Sequence, residues 1–445
     1  MQRTSRPESV STRLQRVAKL SKEAPEMLWT TLAHHIDLSL LKEAYRLTRK
    51  DGAVGVDGQT AREYEENVEE NLQDLLNRFK SGTYKAPPVR RSYVPKGDGK
   101  KMRPIGIPTF EDKVLQRAVA MVLEALYEQD FLECSYGFRP KRSAHQALEK
   151  LWRDTMRGGG GYVLEFDIKK CFDTLDHGHL RSFLDKRVPD GVIRRAIDKW
   201  LKAGILEEGA LRYPGTGTPQ GGVVSPILMN IYLHEVLDKW FAQEVKPRLS
   251  EEACLIRYAD DAVIVFYSKA DADRVMEVLP KRFGRFALSL HPEKTRLIKF
   301  TRPSSGNDKA GRSGSFDFLG FTHYLAKSRK GAWVVKRKTA KDRFTRALKR
   351  IGWWCRTKRH LPVKEQHRVL AVQLKGHAQY YYIRGNSSAI ARFYHEVRGI
   401  WRKWLNRRSQ RSRMNWARPH YEEPDALIAH VRICGACALE AHGKL

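Results

Sequence analysis

Two runs of strand-forming residues, Cys254-Leu-Ile-Arg-Tyr258 and Ala262-Val-Ile-Val-Phe-Tyr267, are separated only by Ala259, Asp260 and Asp261. A connection this short leaves room for an antiparallel hairpin and little else. The tip of that hairpin carries two adjacent carboxylates on rigid β-structure. A third apolar run, Tyr162-Val-Leu-Glu-Phe-Asp167-Ile168, follows a glycine tract and holds Asp167 near its end. Aspartate is common where strands end, because its side chain bonds its own backbone in turns. Each carboxylate alone is therefore compatible with a plain turn. If the strands are neighbours, all three converge without any loop having to order itself.

The rest of the chain supplies a frame for that convergence. Residues 1–28 are polar and basic and read as a loosely held arm. From Trp29 to Phe79 the apolar spacing is helical, interrupted by the turn-rich Gly52–Gly58. Ser92–Lys96 and Lys101–Ile107 flank a Gly-Asp-Gly turn and predict a second hairpin. Helical periodicity returns at Glu111–Tyr127, after Asp167 to about Lys202, and from Ile227 to Phe241, with a loop at Gly215–Gly222 before the last. Residues 302–315 are rich in Ser and Gly and read as a loop. Further on, Phe344, Leu348 and Ile351 mark one amphipathic helix, and Ile390, Phe393, Val397, Ile400, Trp401 and Trp404 another.

Charge narrows the partners. Of 445 residues, 82 are Lys or Arg and 51 Asp or Glu, a net charge of +31 that attracts polyanions. The excess is concentrated: Lys336–Arg418 holds 24 Lys and Arg against three acids, interleaved with Trp353, Trp354, Tyr380–Tyr382, Trp401, Trp404 and Trp416. Phosphate contacts plus stacking surfaces are what structured RNA requires; the same aromatics can also form the core of a helical unit. The six cysteines form no evenly spaced framework, which suits a reducing cytoplasm. There is no apolar run of membrane-spanning length, so no membrane partner is expected. Three acids in a basic chain suit nucleotidyl transfer, in which two Mg²⁺ ions activate a 3′-hydroxyl and neutralise the leaving pyrophosphate.

Several segments together resemble one family. Tyr258-Ala-Asp-Asp261 within Ile256–Phe266 resembles the signature of reverse transcriptases, and Phe166-Asp167-Ile-Lys-Lys-Cys-Phe172 resembles the first catalytic motif of their group II intron-encoded branch. Gly217-Thr-Pro-Gln220-Gly-Gly, Tyr136-Gly-Phe-Arg-Pro140, His291-Pro-Glu-Lys294-Thr and Phe316-Asp-Phe-Leu-Gly320-Phe are similar to further motifs of that branch. The likeness runs from about residue 50 to 325, and Leu374–Tyr382 extends it into a thumb and maturase domain.

The resemblance implies an α+β right-hand polymerase: a 1–28 arm, fingers and an antiparallel palm over 29–325, a helical RNA-binding thumb/maturase domain over 326–420 and a short tail over 421–445. It implies that Asp167, Asp260 and Asp261 ligate two Mg²⁺ ions with the Ile168 carbonyl assisting. Lys96 and Arg103 would clamp the nucleotide triphosphate, Phe172 would exclude a 2′-hydroxyl, and Gln220 would pack at the templating pair. Lys294 and Tyr258 would meet primer and template, and Lys349, Arg350, Lys375, Arg402, Lys403, Arg407 and Arg408 would meet RNA. The implied partners are intron RNA, an RNA template, a DNA primer or target, and dNTPs, in the cytoplasm; oligomeric state stays open. Cys434, Cys437 and His442 are too few for a structural zinc site, so the zinc-bearing nuclease of many members is not expected. The alternatives are a retron, diversity-generating or defence-associated reverse transcriptase, against which the basic region argues, and a splicing maturase that no longer polymerises, against which the three carboxylates argue.

Overall fold

The computed structural model describes residues 9–96, 101–157, 160–207, 209–213, 215–218, 221–302 and 314–408. The fold is mixed, with many helices and sheets built mainly from antiparallel pairs. It divides into two compact units after Lys299.

In the first unit the second predicted hairpin is present as β1 (Val89–Lys96) and β2 (Lys101–Ile107). Then come β3 (Gly160–Asp167), a short pair β4 (Ile205–Glu207) and β5 (Ala210–Arg212), β6 (Ala253–Tyr258), β7 (Asp261–Phe266) and β8 (Arg296–Thr301). These form two four-stranded sheets, β2-β1-β4-β5 and β6-β7-β3-β8. In the second sheet β7 is buried from Ala262 to Phe266, which is why its sequence is a continuous apolar run rather than an alternating one. Helices Ala144–Arg157 and Lys269–Gly284 pack on its strands. The core continues into helix Phe110–Tyr127, where Val114, Leu115, Ala118, Val119, Val122, Leu123 and Leu126 are all buried. Thr109 starts that helix by accepting a hydrogen bond from the Asp112 N–H.

Three elements differ from the sequence expectation. The segment read as a loose arm contains helix Val10–Glu23, with Val17 buried and Ser21 donating to the Leu126 carbonyl at 3.2 Å. Its basic residues masked an apolar stripe of Val10, Leu14 and Val17 at helical spacing. The helical stretch after Asp167 is three helices, Cys171–Thr174, His177–Asp185 and Gly191–Leu201, the last two capped by Asp176 and Asp190. The helix expected at Ile227–Phe241 begins at Ser225 but widens into π-helical turns at His234–Asp238 and Phe241–Val245.

The second unit holds a three-stranded sheet of β9 (Phe316–Phe318), β10 (Phe321–Lys327) and β11 (Trp333–Thr339), in the order β11-β10-β9. Helices Lys341–Thr357, Val363–Tyr381 and Ser387–Leu405 follow. Their shared core is Ile351, Cys355, Leu370, Leu374, Ile390, Phe393, Val397 and Trp401. The buried Trp401 indole donates to Gln366 Oε1 at 3.0 Å, and Gln366 Nε2 in turn donates to the Leu361 carbonyl at 2.8 Å. Asn386, also fully buried, accepts from the Thr339 N–H at 2.9 Å and donates to the Tyr381 carbonyl at 2.7 Å. The aromatics are thus divided between roles: Trp401 is core, whereas Trp353 is 65% exposed. Among the described residues no helix is long and apolar enough to cross a membrane.

Candidate active site

Backbone register brings the acids together. β3 and β7 pair antiparallel with Asp167 directly opposite Asp261, and β6 and β7 pair with Tyr258 opposite Asp261. Only Ala259 and Asp260 remain to turn the hairpin. Opposed residues share a face with β-carbons about 5 Å apart, and like charges so placed repel. Lys294 partly offsets this: its Nζ lies 2.5 Å from Asp167 Oδ2. The turn carrying Lys294 is itself hung from the strand end, since the His291 N–H donates to the Asp167 carbonyl at 2.8 Å.

Electrostatics agree with the geometry. Burial pushes the Asp260 carboxyl above its ordinary pKa and the nearby Asp167 charge raises it further, while Arg103 and Lys294 oppose the shift. Asp260 therefore senses three other predicted residues, Asp167, Arg103 and Lys294, each from a different segment. Ile168 forms an isolated antiparallel bridge with Leu290, flanked by bonds from the Lys169 N–H to the Ser289 carbonyl and from the His291 N–H to the Asp167 carbonyl. In such a pair the Ile168 carbonyl faces away from the 290 strand.

The donor set fits a hard divalent cation. Carboxylate oxygens and a backbone carbonyl are the ligands Mg²⁺ takes, and a carboxyl raised by a neighbouring carboxylate is one that a cation would relieve. Among the described residues no three acidic, His or Cys groups enclose an ion unaided. Mg²⁺ ordinarily uses one or two carboxylates and fills its remaining positions with water and substrate phosphate.

The surrounding motifs act as supports. Gly137 sits beneath the hairpin tip: a β-carbon there would lie 2.2 Å from the Ala259 nitrogen, so any side chain would push the turn away. Ala259 itself has φ +58°, a conformation that stores strain in a non-glycine residue and that neighbouring structure must enforce. Phe172, in helix Cys171–Thr174, is half-buried against the core, and its carbonyl accepts from the Thr218 N–H at 2.7 Å. A β-carbon at Gly221 would lie 2.5 Å from the Gly106 carbonyl oxygen of β2. The loop holding Gln220 is thus tied to the Phe172 helix on one side and to β2 on the other; Gln220 itself lies outside the described residues. Tyr258 packs partly buried against the core at the hairpin end.

In the first hairpin Val94 pairs with Arg103 and Lys96 with Lys101, which sets positions 96 and 103 diagonally across one face. The Lys96 side chain is outside the described residues, as are Cys434, Cys437 and His442; Arg103 is exposed. Of the RNA-facing set, Lys349, Arg350, Lys375, Lys403, Arg407 and Arg408 are exposed and Arg402 half-buried, all in the second unit. Arg407 lies 5.0 Å over the Trp404 ring.

Two features were missed in the sequence. One is Arg257, wholly buried beside the hairpin turn, whose only signal was a charged residue inside an apolar strand. The other is Asp112, buried and bonded by the Tyr84 hydroxyl, Trp200 Nε1 at 2.7 Å and Gln116 Nε2 at 2.9 Å. Gln116 also accepts from the Val224 N–H at 3.3 Å, just beyond the Gln220 loop. Burial pushes the Asp112 carboxyl up to about 6 from its ordinary 3.8. The folded state therefore holds that proton more tightly than the unfolded chain, so Asp112's contribution is present at low pH and lost as pH rises through 6. Asp112→Asn should flatten the melting temperature against pH between about 4 and 6. An unchanged profile would show that Asp112 is ionised throughout that range.

An acidic hairpin tip set against an acidic strand end, with basic residues around them, defines the class, and comparison with known proteins agrees. The profile of the reverse transcriptase (RNA-dependent DNA polymerase) family matches residues 94–323, just over half of the chain and inclusive of all three carboxylates, and the chain belongs to that family. Its relatives narrow this to the group II intron-encoded branch. It is 40% identical over 244 residues to the group II intron-encoded protein LtrA of Lactococcus lactis subsp. cremoris, covering 54% of this chain and 40% of that one. Protein YkfC of Escherichia coli (strain K12) is 34% identical over 293 residues, 58% of this chain and 76% of YkfC. Nuclear intron maturase 2, mitochondrial, of Arabidopsis thaliana is 27% identical over 286 residues, 52% of this chain and 37% of its own. The chain thus spans well under half of LtrA.

Proposed function

We propose that this protein is the RNA-directed DNA polymerase of a group II intron, copying intron RNA into cDNA and binding that RNA to assist splicing and mobility. The single observation that carries the reading is the register that opposes Asp167 to Asp261, with Asp260 in the turn between β6 and β7. In this reading residues 29–325 supply the fingers and palm and residues 326–420 the thumb and maturase surface. The protein works in the cytoplasm.

Asp167, Asp260 and Asp261, with the Ile168 carbonyl, would hold two Mg²⁺ ions, which supply Lewis acidity at the primer 3′-hydroxyl and neutralise the leaving pyrophosphate. Arg103, with Lys96, binds the triphosphate of the incoming dNTP through charge-assisted bonds from one face of the β1–β2 hairpin. Phe172 lies under the sugar and leaves no space for a 2′-hydroxyl. Gln220 packs at the templating pair, Tyr258 at the primer end, and Lys294 moves from Asp167 to phosphate once cations neutralise the acids. Lys349, Arg350, Lys375, Arg402, Lys403, Arg407 and Arg408 contact phosphates of intron RNA. Such contacts give affinity with little dependence on sequence.

Primer extension with a DNA primer on an RNA template, dNTPs and Mg²⁺ tests the reading. Template-dependent cDNA is the expected product. Absence of cDNA from a folded protein that still binds structured RNA would overturn the polymerase assignment in favour of a maturase alone.

A further inference from the structure

The hairpin that carries Asp260 and Asp261 is braced from behind by a buried polar cluster centred on Arg257. This side chain is 0% exposed, yet every arm of its guanidinium is engaged. Nε and Nη2 donate to the two oxygens of Asp238 at 2.8 and 2.6 Å, and Nη2 also donates to Ser135 Oγ at 2.8 Å. Nη1 donates to Asn230 Oδ1 at 3.0 Å and to the Ala259 carbonyl at 3.1 Å. Asn230 closes the circuit by donating to the Gly137 carbonyl at 2.8 Å. The backbone joins in: the Arg257 N–H donates to the Cys134 carbonyl and the Tyr136 N–H to the Arg257 carbonyl, both at 2.8 Å.

Stability alone is a poor reason for this cluster. Taking a guanidinium and a carboxylate out of water costs about as much as their attraction returns, and well-packed apolar residues often do as well. What apolar residues could not do is hold the Ala259 carbonyl. That carbonyl belongs to the strained φ +58° residue immediately before Asp260, and Gly137, whose carbonyl is held by Asn230, packs against the preceding Tyr258–Ala259 peptide. The cluster therefore acts on the one turn whose shape sets the direction of two carboxylates.

The helix supplying the acid is built for this purpose. Asn230 and Asp238 are eight residues apart, which in a regular α-helix at about 100° per residue turns them roughly 80° from each other. The π-helical turn at His234–Asp238 advances by fewer degrees per residue and brings both side chains to the same guanidinium.

We propose that Arg257 is a positioning residue for the metal site, fixing the Ala259–Asp260 turn through Asn230, Ser135 and Asp238 so that the carboxylates meet a divalent cation in one geometry. This rests on the reading of Asp167, Asp260 and Asp261 as metal ligands. Groups that orient metal ligands typically change metal affinity by about 10–100-fold when removed.

The test is Mn²⁺ binding to the full chain, measured by electron paramagnetic resonance without nucleic acid, alongside melting temperature. Wild type and Asp260→Asn establish the site. Arg257→Lys, Asn230→Ala and Ser135→Ala probe the brace in order of decreasing severity, the last removing a single bond so that a folded variant is assured. Weakening of Mn²⁺ binding by about tenfold in Arg257→Lys or Asn230→Ala, with a smaller loss in Ser135→Ala and native circular dichroism, is expected. A parallel rise in the Mg²⁺ needed for half-maximal extension, with dNTP KM at saturating Mg²⁺ unchanged, is expected too. Folded variants that melt lower but bind Mn²⁺ as wild type does would reduce Arg257 to a core ion pair and overturn the proposal. Wild-type binding that Asp260→Asn leaves intact would overturn the metal-site reading itself.

Discussion

Asp260→Ala should lower cDNA synthesis on an RNA template by on the order of a thousandfold or more, because in the proposed reading it removes a metal ligand, and the charge stabilisation lost with one amounts to several kcal/mol of barrier. The fold should not suffer. Asp260 is held at a raised pKa by burial and by the Asp167 charge, so removing its carboxyl relieves repulsion rather than breaking a bond network. The turn itself is kept by the Arg257 bond to the Ala259 carbonyl and by the contact with Gly137. The melting temperature should therefore equal or exceed that of wild type. Affinity for structured RNA should stay within about twofold, since phosphate contacts dominate it. Primer extension, a thermal melt and a filter-binding titration suffice to check this. A variant that still makes cDNA, or one that loses its cooperative melt, would remove Asp260 from the catalytic role.

Phe172→Ala is expected to act on selectivity instead of rate. The Phe172 ring is half-buried against the core, in a short helix whose Phe172 carbonyl, with that of Leu175 just beyond it, anchors Gly217 and Thr218. Its backbone role survives truncation, whereas the proposed steric role does not. Preference for dNTP over rNTP, measured as the ratio of kcat/KM values, should fall by about 10–200-fold, the range that one small group in a packed pocket commands. Most of the change should appear as gained rNTP incorporation, with dNTP incorporation reduced less. If sugar preference is unchanged while stability drops by about 3 kcal/mol or more, Phe172 is an ordinary core ring.

Much of the site was legible because its determinants are local. A three-residue connection between two apolar strands can only be a hairpin, so the pairing of β6 with β7 and the placement of Asp260 and Asp261 at its tip followed from chain geometry. The β1–β2 hairpin was equally plain from its flanking strand residues. The pair β4–β5 was not, because strands of three residues leave too few positions for a period to register, and the β9–β10–β11 sheet was missed because its two seven-residue strands run into the region read as a helical unit. Helix Val10–Glu23 was hidden by its charge, since the apolar stripe is narrow and the composition around it is that of a solvated arm. The π-helical turns carried no periodic signal; the first ends at Asp238, whose carboxylate is bonded to a residue of a distant strand, Arg257.

Sequence by itself determined the residue types the chemistry needs, the local elements that carry them and, through an ordered series of motifs, the family. Tertiary structure decided which strands became neighbours. Nothing in the run ending at Asp167 states that it pairs with β7 in the register that opposes Asp167 to Asp261; that follows from burying Ala262 to Phe266 among strands and helices distant in the chain. Tertiary structure also decided the meaning of Arg257. In an isolated strand it is one more basic residue among 82 Lys and Arg; enclosed, it must satisfy every donor, and the partners it finds hold the turn between the carboxylates. The physical reason is the same in both cases: burial and long-range hydrogen bonding are properties of where segments meet, and no window of sequence contains both sides of such a meeting.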